Sequence, residues 1–251
     1  MVDPERNPVT LESIVVALAA FGIGFSKAGI GGGLGPLITV LMLVVFPPDT
    51  ALALLLPLLM VGDVFSLSAL WRRWDWRHAA LLLPGAVAGV AAGTYLVSSL
   101  PPRTFRLVLG IVVLAFVAYF LIKPRLSVDR QYVNRRWHGW LAGSTAGFTS
   151  ALAHSGGPPI TMYLLLQRME PVRFVATTAL VFASVNLIKV PAYASVGLFD
   201  WDLQLRLWWA VLVIPLGALV GRWAVMRVSP GVFHYVMTGL LAVSGLFLIF
   251  D

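Results

Sequence analysis

A few polar side chains are set into apolar surroundings where they could do chemistry. Lys27 follows the first apolar stretch, Asp63 lies inside the third, and Lys189 lies inside the corresponding stretch of the second half. His154 and Ser155 sit in a break in that half, Gly147-Phe148-Thr149-Ser150-Ala151-Leu152-Ala153-His154-Ser155-Gly156-Gly157-Pro158-Pro159. A matching break in the first half reads Gly24-Phe25-Ser26-Lys27-Ala28-Gly29-Ile30-Gly31-Gly32-Gly33-Leu34-Gly35-Pro36. Ammonium, imidazole and hydroxyl groups can all donate to an oxyanion, and imidazole or carboxylate can carry a proton. Ionisable groups within a membrane are functional candidates by default, and paired Gly/Pro interruptions point to a transporter's binding site.

The backbone matters as much as the side chains. A helix that starts at membrane depth points unpaired N–H groups and a partial positive charge into whatever cavity it faces. Pro36, Pro158 and Pro159 suit the first turns of such helices, which places starts near Gly35 and near Pro158. Two starts facing one cavity can hold one anion. The backbone N–H groups around Gly31, Gly32, Gly33 and Gly35, with those of Ser155, Gly156 and Gly157, are the expected ligands. Lys27, His154, Asn186 and Lys189 are the side-chain candidates. Asp63 is the coupling candidate. Blander readings stand beside these: glycines that let helices pack closely, Lys27 offsetting a helix C-terminus, Asp63 paired with Lys27 or Lys189, and His154 bonded to backbone. Thr39, Thr161, Thr177, Thr178 and Ser184 can add polar lining or join helices together.

Other chemistries lack their residues. There is no HExxH pair, nucleophile elbow or clustered acid pair, so no enzyme is expected. The glycines follow no strand and precede no acidic ribose ligand, so no nucleotide loop is expected. The chain has no cysteine, and its four histidines are far apart in sequence, so neither metal nor other cofactor is expected. The net charge of +7 comes from basic residues scattered near segment ends, which suits loops at an anionic membrane surface rather than nucleic acid.

The elements that position these groups follow from composition. Of the 251 residues, 59% are hydrophobic and 12% charged, with a mean hydropathy of +0.88. The apolar residues run in long stretches without period-two alternation, which predicts an all-α polytopic membrane protein in a lipid bilayer. The segments run roughly Leu11–Phe25, Leu34–Phe46, Thr50–Trp71, Ala79–Leu100 and Thr104–Ile122, then Trp137–Ala153, Ile160–Gln167, Pro171–Val196, Leu203–Met226 and Gly231–Phe250. The N-terminus lacks a basic signal-peptide flank, so the first stretch is expected to be retained.

The halves form a diverged repeat. Gly24 pairs with Gly147, Gly33 with Gly156, Pro36 with Pro159, Pro48 with Pro171, Asp63 with Asn186 and Asp75-Trp76 with Asp200-Trp201. With small gaps, Gly89 and Gly93 pair with Gly217 and Gly221, and Pro102 with Pro230. The spacing predicts an N-terminal repeat over 1–122, a basic cytoplasmic linker over 123–136 and a C-terminal repeat over 137–251, together one membrane domain. The first two segments of each half are too short to span and read as half-helices of a re-entrant hairpin, followed by three transmembrane helices. An odd number of spans per half inverts the second half. Loop charge agrees. The segment Trp71–Arg77 is arginine-rich, whereas its mate, Gly197–Asp202, carries two acids. Arg103 and Arg106, outward in this scheme, count mildly against it. The alternative is eight full spans in parallel halves, with both termini cytoplasmic. The tryptophans near segment ends fit an interfacial belt, and Gly85-x-x-x-Gly89-x-x-x-Gly93 and Gly217-x-x-x-Gly221 fit close helix packing.

The Gly-rich GIGGGLGP after an opening apolar helix, its second copy HSGGPP, the Pro-led segments after each and the two-fold repeat together resemble the sulfite exporter TauE/SafE family. The resemblance covers about Leu11 to Phe250. It implies a multi-pass transporter of the bacterial inner membrane that exports a small sulfur oxyanion or organosulfonate, such as sulfite or sulfoacetate. Half two departs from a plain glycine loop by carrying His154 and Ser155. The combined expectation is a secondary transporter working by alternating access, with the anion held between two half-helix N-termini. The alternative is an anion or small-solute channel using the same breaks as a filter. A homodimer is compatible with this scheme.

Overall fold

A computed structural model of the chain describes residues 11–29, 34–122, 135–225, Arg227 and, near the C-terminus, 238–239, 242–243, 245–246 and 248–250. Gly31, Gly32 and Gly33, most of the basic linker and much of the last segment lie outside the described residues. The described chain is helical: α1 (Leu11–Gly29), α2 (Gly35–Met42), α3 (Pro48–Ala69), α4 (Trp76–Ser99), α5 (Pro102–Ile122), α6 (Arg136–Ala153), α7 (Gly157–Leu166), α8 (Pro171–Ser195), α9 (Trp201–Leu207), a 3₁₀ helix (Trp208–Val213) and α10 (Ile214–Val225).

Local chemistry sets the boundaries. Proline occupies the first turn of α2, α3, α7 and α8, where its missing N–H costs nothing. Two aspartates cap the helices that follow the long α3 and α8. The Asp75 carboxylate accepts from the N–H groups of Arg77 at 3.0 Å and His78 at 3.3 Å, and the Asp200 carboxylate accepts from that of Leu203 at 3.0 Å. The Asp75 N–H in turn donates to Thr177 Oγ1 at 2.8 Å, and Thr177 donates to the Arg173 carbonyl at 2.6 Å. Thr177 therefore fastens the α3–α4 connection to α8. Thr178 and Ser184 donate back to the carbonyls of Phe174 and Leu180 on their own helix.

Two helix pairs dominate the packing, α4 on α6 and α1 on α10. Both are close backbone contacts made through glycine. A Cβ on Gly89 would strike the Ser144 carbonyl, and one on Gly217 would strike the Phe21 carbonyl. Likewise Gly147 faces the Ala86 carbonyl and Val90 N–H, and Gly24 faces the Ile214 carbonyl and Ala218 N–H. These contacts exchange under the sequence register that pairs Gly24 with Gly147 and Gly89 with Gly217. Close approach matters in lipid, where helices associate through packing rather than water exclusion.

The outer surface is apolar. Leu205, Leu212, Leu219, Val220 and Val243 are exposed, as are Trp71, Trp76, Trp137, Trp140, Trp201 and Trp208 near helix ends. A surface like this belongs in a bilayer. Among the described residues, five helices are long and apolar enough to cross one: Leu11–Ala28, Pro48–Ala69, Trp76–Ser99, Pro171–Ser195 and Trp201–Ala224.

Two elements differ from the sequence expectation. The first segment is not a half-helix: α1 has 19 residues, running on past Phe25 to Gly29, for a length of about 28 Å. The ninth segment is not one continuous α-helix. Pro215 has no N–H for the Val211 carbonyl and its ring crowds that carbonyl, so the preceding turns tighten into the 3₁₀ stretch Trp208–Val213.

Candidate functional site

The two breaks meet. Leu34 N–H donates to Ser26 Oγ at 3.1 Å, and a Cβ on Gly22 would lie 3.3 Å from Ile38 Cγ1. Rising numbers on α1 thus meet falling numbers on α2, so the two helices form an antiparallel hairpin. On the other side, α6 ends in a Schellman-like turn. His154 N–H donates to the Ser150 carbonyl at 2.9 Å and Ser155 N–H to the Thr149 carbonyl at 3.3 Å. His154 takes a left-handed conformation there, φ 50°, a position usually given to glycine. Gly35, the first residue of α2, lies flat against the His154 carbonyl with no room for a side chain. Thr39 Oγ1, one turn into α2, lies 2.9 Å from the Gly35 carbonyl and 3.0 Å from the Ala153 carbonyl.

One stripe of α8 closes the site. Phe182, Asn186, Lys189 and Tyr193 are spaced i, i+4, i+7, i+11 and share a face. Asn186 Nδ2 donates to Asp63 Oδ2 at 2.5 Å, and Lys27 Nζ is ion-paired with the other Asp63 oxygen. The Lys27 ammonium also lies 5.3 Å from the Phe182 ring centre. Lys189 Nζ lies 2.7 Å from His154 Nδ1 and 3.4 Å from the Ser150 carbonyl. Tyr193 donates its hydroxyl to the Ala151 carbonyl at 2.8 Å. At the end of α6 the Ala151 and Ala153 carbonyls thus find partners in Tyr193 and Thr39, while the Ser150 carbonyl, already bonded to the His154 N–H, also receives Lys189.

Bonding fixes the His154 tautomer. Nε2 lies 3.2 Å from the Leu52 carbonyl, which only accepts. The ring proton therefore sits on Nε2, and Nδ1 is left as the acceptor for Lys189. The ionisable groups at the centre are two basic lysines and one acidic aspartate, beside the imidazole of His154. Asp63 is 3% exposed and Lys189 fully buried, so the imbalance stands in a low-dielectric interior.

Lys27, Asp63, Gly35, His154, Asn186 and Lys189 are thereby brought together. Gly157 begins α7, where an added Cβ would lie 3.4 Å from the Phe182 ring, and Gly156 packs on the Ala146 carbonyl. Ser155 is buried, and its hydroxyl has no hydrogen-bond partner among the described residues. The space between these groups is a cavity of about 20 Å³, lined by Ser26, Lys27, Gly35, Ser150, His154 and Asn186 among others. That is room for about one water molecule. Phe182 and Tyr193 were not among the expected site residues. Their helical spacing around Asn186 and Lys189 was the available signal.

An α-helical protein with an apolar exterior and ionisable groups gathered at two broken helices is a polytopic membrane protein of transporter type. The sulfite exporter TauE/SafE family model matches residues 16–248, and the chain belongs to that family. It is 26% identical over 228 residues to the probable sulfite/organosulfonate exporter TauE of Cupriavidus necator, covering 89% of this chain and 84% of that one. No solved structure matches the chain.

Proposed function

We propose that the protein exports a small sulfur oxyanion or organosulfonate across the bacterial inner membrane by alternating access. The anion would be held between the starts of α2 and α7. The observation that carries this reading is the packing of Gly35 on His154, which brings both breaks to Lys27 and Lys189. Gly31–Gly33, Gly156 and Gly157 would supply backbone N–H groups, and Ser155, whose own N–H is held by the Thr149 carbonyl, would contribute its hydroxyl. The relative named as an organosulfonate exporter supports the substrate class. A cavity the size of one water is an occluded arrangement, so the hairpins must part on one side to admit an anion.

Inverted repeats are supported by helix direction. The α2 helix, with only 8 residues or about 12 Å, is too short to cross and runs antiparallel to the end of α1, which favours a re-entrant turn there. The α5 helix lies against its repeat mate, with Gly110 beside Ile249 and Leu114 beside Gly245. Their numbers run in opposite senses, as mates do when one repeat is upside down. Asp63 bonds its own mate, Asn186, so under inversion both lie on the symmetry axis at the bilayer midplane.

The test is efflux and counterflow of labelled sulfite in proteoliposomes. Saturable flux with counterflow is expected of a carrier, and large unitary currents without counterflow would indicate a channel. Gly157→Ala should fold, since its Cβ meets only an ordinary contact, whereas Gly157→Leu should stop flux by filling the space beside Phe182. Undiminished flux in folded Gly157→Leu would remove α7 from the site.

A further inference from the structure

The pairing at the centre leaves one cation over. Both oxygens of Asp63 are engaged, one by Lys27 and the other by Asn186. Lys189, fully buried, has no carboxylate within bonding distance among the described residues; its partners are His154 Nδ1 and the Ser150 carbonyl. An ammonium has three donors, and these two acceptors take two of them. Both acceptors belong to residues that line the cavity.

We propose that the Lys189–His154 pair is a proton site, and that one proton is taken up with each anion and leaves with it. This rests on the anion site proposed above. In the empty site an ammonium at Lys189 would be a buried charge without a counterion, so the neutral amine donating to His154 Nδ1 is favoured. A bound anion supplies the missing charge. A proton from water then forms the third N–H bond of an ammonium at Nζ, whose spare donor meets the anion. On release the anion departs, that N–H bond breaks, and the proton returns to water. The imidazole cannot take a second proton while Lys189 is an ammonium, because Nδ1–H would face a donor with no lone pair. The pair therefore holds one extra proton at most.

The surrounding charges fit this assignment. Asp63 on α3 and Lys27 on α1 act on Lys189 with opposite sign. Their ion pair offsets one against the other. The other ionisable groups on helices packed against α8 are Asp49 on α3, Arg77, His78 and Tyr95 on α4, Arg136 and His138 on α6, and Tyr163 on α7. A monovalent anion moving with one proton carries no net charge, so its export follows the combined anion and proton concentration gradients and not the membrane potential.

The experiment is binding of methanesulfonate, which stays ionised throughout, to the purified full chain by calorimetry in buffers of different ionisation enthalpy. Uptake of one proton per anion is expected, with Kd rising about tenfold per pH unit across the linked range. Lys189→Arg, which keeps its charge at every pH, should bind without proton uptake. Binding with constant Kd and no proton uptake in the unaltered protein would overturn the inference and leave the anion site standing. Proton uptake that persists in folded Lys189→Arg would overturn the assignment to Lys189. Failure of methanesulfonate, sulfite and sulfoacetate all to bind would overturn the anion site and this inference with it. The measurement on the unaltered protein decides the linkage even if the variant does not fold.

Discussion

Gly35 lies against the His154 carbonyl so closely that the start of one broken helix forms the wall of the other. The contact is backbone on backbone, so no flexible side chain can yield. Gly35→Ala should therefore lower stability by about 1–3 kcal/mol, as overpacking does. Gly157→Ala, whose Cβ would lie 3.4 Å from Phe182, should cost little. Thermal melts of the two variants in detergent give the comparison. Equal melting temperatures would mean that the two breaks are not packed in this way.

The Lys27–Asp63 pair is buried, and the partner that stays after removal of the other is a lone charge. Lys27→Met or Asp63→Leu alone should cost about 3–5 kcal/mol, while the double variant should cost less than the sum. A double-mutant cycle on unfolding measures the coupling. Additive losses would show that the two side chains do not depend on each other. Asn186→Leu should also destabilise, since it frees one Asp63 oxygen.

Much of this centre was legible in the sequence because charge in an apolar run is conspicuous. Lys27, Asp63 and Lys189 were each singled out, but which lysine pairs with Asp63 was not, since both fit the spacing. The geometry selects Lys27 with Asp63 and leaves Lys189 to His154. The left-handed turn at His154 was not read from the sequence, although its counterpart Gly31 is of the type that favours φ above zero. The break in the ninth segment had a visible cause in Pro215. A proline alone does not decide such a break, since α4 carries Pro84 inside one unbroken helix.

The glycine contacts predict matched costs. Gly89 meets Ser144, and Gly217 meets Phe21, in the same geometry at register-related positions. Gly89→Ala and Gly217→Ala should each destabilise by about 1–3 kcal/mol, and by similar amounts. Gly239→Ala, with nothing within 4 Å of its Cβ, serves as the control and should be neutral. A large loss at one glycine and none at its mate would break the correspondence between the α4–α6 and α1–α10 contacts.

Asp75 gives a pH signature at a helix end. Burial alone would raise its pKa, but bonds from the His78 backbone and ring, with the charges of His78 and Arg173, outweigh it and hold the carboxyl below its ordinary value of 3.8. A group lowered in the folded state stabilises above its unfolded value, and that contribution is lost as pH falls through the folded one. Asp75→Asn keeps the capping oxygen and loses only the charge, so its deficit should be about 0.5 kcal/mol at neutral pH. The gap to the unaltered protein should close below the ordinary carboxylate range. Melting curves at pH 7 and pH 3 measure it, and a gap that widens in acid would reverse the sign assigned here.

Membrane orientation can be read with single cysteines, because the chain contains none of its own. Arg73, on the α3–α4 connection, and Asp202, at the start of α9, are both exposed. They lie on register-related connections. If the halves are inverted, Arg73→Cys reacts with an impermeant maleimide only from the cytoplasmic face and Asp202→Cys only from the opposite face. If the halves are parallel, both react from the same face. Right-side-out and inside-out vesicles separate the two cases, and labelling from one face would overturn the inverted arrangement. The arginines around Arg73 and the acids around Asp202 favour the first outcome, since positive charge is retained on the cytoplasmic side.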